Sequence, residues 1–141
     1  MFAALRGFGQ RLVRAGLQLL LVVALAFGLS ACGGTPSGLS GSYVDDTVSV
    51  ATSLLNTIAP EDGKASSEQQ QQARELINDY IALYRPNGRV NGLASFTTMQ
   101  TALNSLAGHY ANYNNRPLPD DLRARLEKEL HKAELSVVRG S

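Results

Sequence analysis

The residues after Gly41 predict an all-α fold, an up-down-up-down antiparallel four-helix bundle. Three observations carry that prediction. Apolar residues recur at spacings of three and four in four successive stretches. The connections between them, near 59–66, 85–92 and 114–118, are short, which favours antiparallel neighbours. No stretch alternates apolar and polar residues as a strand would, and no internal repeat is visible.

The first helix is expected from about Tyr43, with Ser42 and Asp45 spaced as a capping box. Val44, Val48, Ala51, Leu55 and Ile58 supply its apolar stripe, and Pro60 with Glu61-Asp62-Gly63 ends it. Its β-branched residues weaken the intrinsic helix preference, so it depends on tertiary contacts. The second helix starts at Ser66 or Ser67, where Ser66 and Gln69 match the capping pattern. Gln69 to Gln72 reads as exposed helix, and Ala73, Leu76, Ile77, Tyr80, Ile81 and Tyr84 form the inner stripe. Arg85-Pro86-Asn87-Gly88 stops it, because proline cannot continue the ladder and Asn-Gly favours a turn.

The third helix, about Leu93 to Tyr113, is unusual. Phe96, Met99, Leu103, Leu106, Tyr110 and Tyr113 share one face, and Thr98, Thr101, Ser105, Gly108 and Asn112 the other. Between Arg89 and Arg116 there is no Asp, Glu, Lys or Arg, although a surface helix ordinarily sets charges opposite its core stripe. Two readings fit: a helix packed on two sides inside its own bundle, or one whose small uncharged face docks a partner. The fourth helix enters through Pro117-Leu118-Pro119-Asp120-Asp121, with aspartates suited to a helix N-terminus. Leu122, Leu126, Leu130, Ala133 and Val137 form its stripe. Asp121–Arg125, Arg123–Glu127 and Arg125–Glu129 are spaced for surface pairing, and Arg139-Gly140 ends it.

The N-terminus has a different design. Arg6, Arg11 and Arg14 precede an apolar run from Leu17 to Leu29, with small residues after it, as in a secretory signal. Leu29-Ser30-Ala31-Cys32 resembles the bacterial lipobox, which implies cleavage between Ala31 and Cys32 and lipidation of Cys32. The uncharged segment Ala15 to Ala31 is also close to the ~17-residue lower limit for a spanning helix, so an uncleaved anchor stays open. The expected division is 1–31 signal peptide, 32–41 flexible tether with acylated Cys32, and 42–141 bundle. The Gly- and Ser-rich residues 33–41 suit a tether.

Of 141 residues, 13 are Lys or Arg and 12 are Asp or Glu; without the three signal arginines, 10 bases face 12 acids. Nucleic acid is not an expected partner, since that calls for a clustered basic face. The single cysteine excludes an internal disulfide.

The chain carries no glycine-rich phosphate loop, dinucleotide fingerprint or His-Glu-x-x-His zinc motif, and no catalytic residue is nominated. His131 with Glu127 and Glu134 is the one arrangement that could hold a metal, but on a charged helix such residues are ordinarily solvated. Met99 and His109, a conceivable haem pair, fall on different sides of one helix. No cofactor and no metal are expected. Tyr80, Tyr84, Tyr110 and Tyr113 lie near helix ends with Arg85, Arg89 and Arg116 close in sequence, and Tyr and Arg are favoured interface anchors. The partner-binding candidates are therefore Tyr80, Tyr84, Arg85, Arg89, Gly108, Tyr113 and Arg116. The alternative for the tyrosines is that their rings cap the bundle core.

The run from Ser95 through Met99 and Gly108 to Tyr110 resembles the Psb-twenty-seven family of small lumenal lipoproteins of photosystem II assembly and repair. Arg116-Pro117-Leu118-Pro119, Ile77-Asn78-Asp79-Tyr80-Ile81 with Tyr84-Arg85, and Gly41-Ser42-Tyr43 with Asp46-Thr47 extend the likeness over essentially the whole mature chain, except the Pro60 to Gln72 connection. The resemblance implies a four-helix bundle without catalytic activity, lipid-anchored on the lumenal side of the thylakoid membrane. It implies transient binding to immature photosystem II through the lumenal loop of the smaller core chlorophyll antenna. That binding precedes installation of the manganese–calcium cluster and the extrinsic subunits. Alone, the chain is expected to be a monomer. Two other functions stay open, a manganese carrier to the same complex and a generic structural envelope lipoprotein.

Overall fold

The computed structural model describes residues 38–59 and 64–141. The expected signal segment, the Ala31–Cys32 cleavage point and the Cys32 lipidation site lie outside the described residues. The fold is a ring of four helices: α1 (Tyr43–Ile58), α2 (Ser67–Tyr84), α3 (Ala94–Asn112) and α4 (Asp120–Val138). Each packs on its two neighbours, α1 and α3 both lying against α2 and α4. No strand occurs among the described residues.

The boundaries follow local chemistry. Ser66 and Gln69 form a full capping box, the Ser66 hydroxyl accepting from Gln69 N at 3.1 Å and the Gln69 amide accepting from Ser66 N at 2.8 Å. Gly140, at φ 84°, lets its own amide reach Val137 O and that of Ser141 reach Ser136 O, which closes α4. The core is one cluster in which Met99, Leu103, Leu126 and Leu54 are sealed from solvent, with Tyr80, Ile77 and Phe96 beside them.

The structure corrects the expectation for α1. Its buried face is Asp46, Thr47, Val50, Ala51, Leu54 and Ile58, while Val44 is 43% exposed. The apolar stripe is rotated because two polar residues, both hydrogen-bonded, occupy the inner face near its start. Ser42 makes no side-chain cap. Asp46 instead reaches back along the chain, accepting from Ser40 N at 2.8 Å, Ser40 Oγ at 2.7 Å and Gly41 N at 3.0 Å. Leu39 is buried against the core. The last residues of the expected tether are thus fastened to the bundle, and Gly41 reaches this conformation at φ 87°.

Candidate docking surface

The two ends of the bundle differ in chemistry. At the end where α1 begins and α2 finishes, the Tyr84 hydroxyl donates to Asp46 Oδ2 at 2.5 Å, and Thr47 and Tyr80 share a buried hydroxyl–hydroxyl bond of 2.7 Å. Tyr43 bonds Ser95 at 2.7 Å and sets its ring edge-on to Tyr84, 5.2 Å between centroids. Tyr80 stacks on Phe96. Burial works against the Asp46 charge, but the bonds from Tyr84, Ser40 and Gly41 outweigh it and hold the carboxyl below the ordinary carboxylate range. Burial, and then the neighbouring Asp46 carboxylate, push the Tyr84 phenol up, so it remains a neutral donor. Burial likewise pushes Tyr80 well above its ordinary value.

Tyr80 and Tyr84 are therefore taken out of the expected partner-binding set. They are 0% and 3% exposed, and their hydroxyls are committed to α1. Two tyrosines on the inner stripe of α2 can bury their rings because Thr47 and Asp46 satisfy the oxygens from across the core.

The remaining candidates fall into two groups, linked by α3, which is about 28 Å long at 1.5 Å per residue. Arg85 and Arg89 are exposed at the α1-start end. The Arg85 guanidinium lies 2.9 and 3.2 Å from the Gln100 amide, whose oxygen is assigned to face it. Tyr113 and Arg116 lie at the opposite end. There the Arg116 guanidinium sits 5.6 Å above the Tyr113 ring, which is half exposed. His109 is buried beneath them, its Nε2 donating to Arg116 O at 3.3 Å and its ring 5.6 Å from that of Tyr113. Gly108 opens outward: a Cβ built on it would have no neighbour within 4 Å.

Between these groups runs the uncharged face of α3, and it faces solvent. α3 packs on α2 and α4, and its remaining face, with Thr101 and Asn112 exposed and Ser105 and Gly108 half-buried, stays uncovered by the bundle. Thr97, Thr101 and Ser105 each donate their hydroxyl to the carbonyl four residues back, at 3.3, 2.9 and 2.9 Å, and Asn112 does the same to Gly108 O at 2.8 Å. Their hydrogens are spent within the helix, which leaves a smooth row of low polarity. Arg125 of α4 donates to Ser105 Oγ at 2.9 Å from one side, and Arg85 lies on Gln100 of the same helix. The result is a neutral strip with a guanidinium at each of these points, suited to meeting another protein rather than to bond-making chemistry. Gln100 and Arg125 were not candidates in the sequence. Only the charge-free interval of α3 pointed to the strip, and nothing local says which arginines of other helices lean on it.

The metal alternative does not assemble. His131 Nδ1 is 3.2 Å from Glu134 Oε2, and Glu134 Oε1 accepts from Thr52 at 3.1 Å. Among the described residues no three His, Cys, Asp or Glu side chains converge. Met99 is sealed in the core and His109 is engaged at Arg116, so the two do not face one another.

Known proteins match along most of the chain. A family model described as Photosystem II Pbs27 matches residues 10–137. A Thermosynechococcus vestitus protein named photosystem II assembly factor lipoprotein Psb27 is 46% identical over 84% of this chain and 90% of its own length. A Synechocystis photosystem II lipoprotein Psb27 is 49% identical over 86% of this chain and 91% of its own. Among solved structures, Psb27 from cyanobacterial photosystem II in solution superposes with a TM-score of 0.65 at 47% identity, covering 76% of this chain and 94% of that one. The crystal structure of PSB27 from Arabidopsis thaliana gives 0.62 at 30% identity, covering 70% and 98%. With the family model spanning nearly the whole sequence and the bundle superposing on these structures, the chain belongs to the photosystem II Pbs27 family.

Proposed function

We propose that this chain is a lipid-anchored assembly and repair factor of photosystem II that works by occupying a surface and carries no catalytic activity. The observation that carries the reading is the exposed neutral face of α3, with Arg85 and Arg125 laid against it and Gly108, Tyr113 and Arg116 at its end. The names of the relatives support it, since they include a photosystem II assembly factor and a photosystem II repair protein. The partner we assign is the lumenal loop of the smaller core chlorophyll antenna in immature complexes, before the manganese–calcium cluster and extrinsic subunits are installed.

Cleavage before Cys32 and lipidation of Cys32 would hold the bundle on the lumenal side of the thylakoid membrane. Tethering raises the local concentration, so a modest intrinsic affinity suffices and release stays easy.

The test is a pull-down of photosystem II from membranes with the anchored protein, wild type against Gly108→Leu. The open space at Gly108 lets the leucine fit without unfolding the bundle. The wild type should recover immature complexes and the folded variant should not. Recovery of only mature, oxygen-evolving complexes, or equal recovery by the variant, would overturn the docking face.

A further inference from the structure

The described residues expose five large apolar side chains, and four of them lie at one end of the bundle. Val44 (43%) is in the first turn of α1, Leu83 (37%) in the last turn of α2, and Leu135 (58%) and Val138 (69%) in the last turn of α4. Antiparallel packing brings these three helix ends to the same level. Scattered exposed apolar residues need no explanation, but a cluster confined to one end does. Arg89 in the α2–α3 connection and Arg139 just past α4 are exposed at the same end, where Asp45 is the one exposed acid among the described residues. The Asp46 carboxylate there is buried and fully engaged.

The chain toward Cys32 leaves the bundle at this same end. Leu39 is buried and Ser40 and Gly41 are fastened to Asp46, so the exit point is fixed beside the first turn of α1. Only five residues lie between Cys32 and Gly38, six chain steps with a reach of about 20 Å when fully extended. A lipid on Cys32 therefore keeps the apolar end close to the membrane surface.

We infer that this end is a membrane seat. Val44, Leu135 and Val138 enter the headgroup–acyl boundary of an anionic lipid surface, and Arg89 and Arg139 meet its headgroups. This rests on the anchoring of Cys32 proposed above, because so few apolar side chains would not hold the protein alone. The helices then stand along the membrane normal, and the neutral face of α3 is presented sideways, toward a neighbouring membrane protein's exposed domain. Anchor and seat together set orientation, where a lipid on a loose tether would set only distance.

The experiment uses the full lipidated chain on vesicles of phosphatidylcholine and phosphatidylglycerol that carry a lipid-attached quencher. An environment-sensitive fluorophore is placed through Val138→Cys at this end, or through Asp121→Cys at the far end; acylation leaves Cys32 without a free thiol. The expected result is severalfold stronger quenching of the label at 138 than at 121. Val44→Asp combined with Leu135→Asp should reduce it while the protein still sediments with the vesicles. Equal quenching at both positions, or none at either on vesicle-bound protein, overturns the seat and leaves the anchor standing. Failure of the lipidated protein to sediment with vesicles overturns both.

Discussion

Asp46 draws four hydrogen bonds from three residues, Ser40, Gly41 and Tyr84, and its charge makes them stronger than neutral ones. Asp46→Asn should cost about 2 kcal/mol at neutral pH, because the two donors on one carboxylate oxygen would then face an amide N–H₂. The pH dependence has a definite sign. The folded carboxyl titrates below the unfolded one, so its contribution is complete above the unfolded value of about 3.9 and is lost as pH falls through the folded value. Urea melts at pH 7 and pH 3 should show the advantage of the wild type over the Asp46→Asn variant shrinking in acid; a constant gap would contradict this account. The buried tyrosines make a second contrast. Tyr80→Phe leaves the Thr47 hydroxyl without its partner and should cost about 1–2 kcal/mol. The Tyr110 oxygen is buried with no hydrogen-bond partner, and burial pushes its phenol up to about 12. Tyr110→Phe should therefore be neutral or stabilising in the same melts.

At the scale of elements, α3 and α4 show how one bundle solves two problems. α4 has an ordinary solvated face, with Arg123 on Asp120 at 2.7 Å and Arg125 on Glu129 at 3.8 Å, pairs worth a few tenths of a kcal/mol each. α3 has no such pairs of its own, and its hydroxyls turn inward on the backbone, so it gives up surface solvation for a smooth exterior. Gly108 fits that trade. It is not needed for close packing, since a Cβ there would meet open space, and its φ is not in the left-handed region. Gly108→Ala should then stabilise the protein by up to about 1 kcal/mol, read as a higher Tm. A loss of stability would mean that the glycine is required by the fold. That small change tests folding alone, while the bulkier Gly108→Leu tests docking.

For the whole molecule, the proposed function would divide labour between one covalent point, Cys32, and one noncovalent face, that of α3. No helix among the described residues is long and apolar enough to cross a membrane. Cys32→Ser should move the protein from the membrane to the soluble fraction without altering its helical circular dichroism; retention on membranes would refute lipid anchoring. The bundle is held by a single core shared by all four helices, and the clasp at Asp46 joins the tether's last residues to it. The same carboxylate joins Ser40 and Gly41 to α1 and, through Tyr84, to α2.

The number of helices, their ends and most of the inner stripes of α2, α3 and α4 were legible in the sequence, because capping residues, prolines and apolar spacing act locally. Gln70, expected on the exposed face, is instead buried because its amide donates to Ala65 O and Asn114 O, and Tyr113 stands half exposed. The charge-free interval of α3 was legible because it too is local. Its exposure to solvent, the rotation of α1 and the burial of Tyr80 and Tyr84 were decided only by the tertiary structure. Val44 and Val48 suggested one face for α1, but Asp46 and Thr47 could turn inward once Tyr84, Ser40 and Tyr80 supplied their hydrogen bonds. A polar residue's cost of burial is set by its partners, and here those partners come from another helix or from a segment outside any helix. Spacing along one helix therefore fixes which residues share a face, while the contacts between helices fix which face is inside.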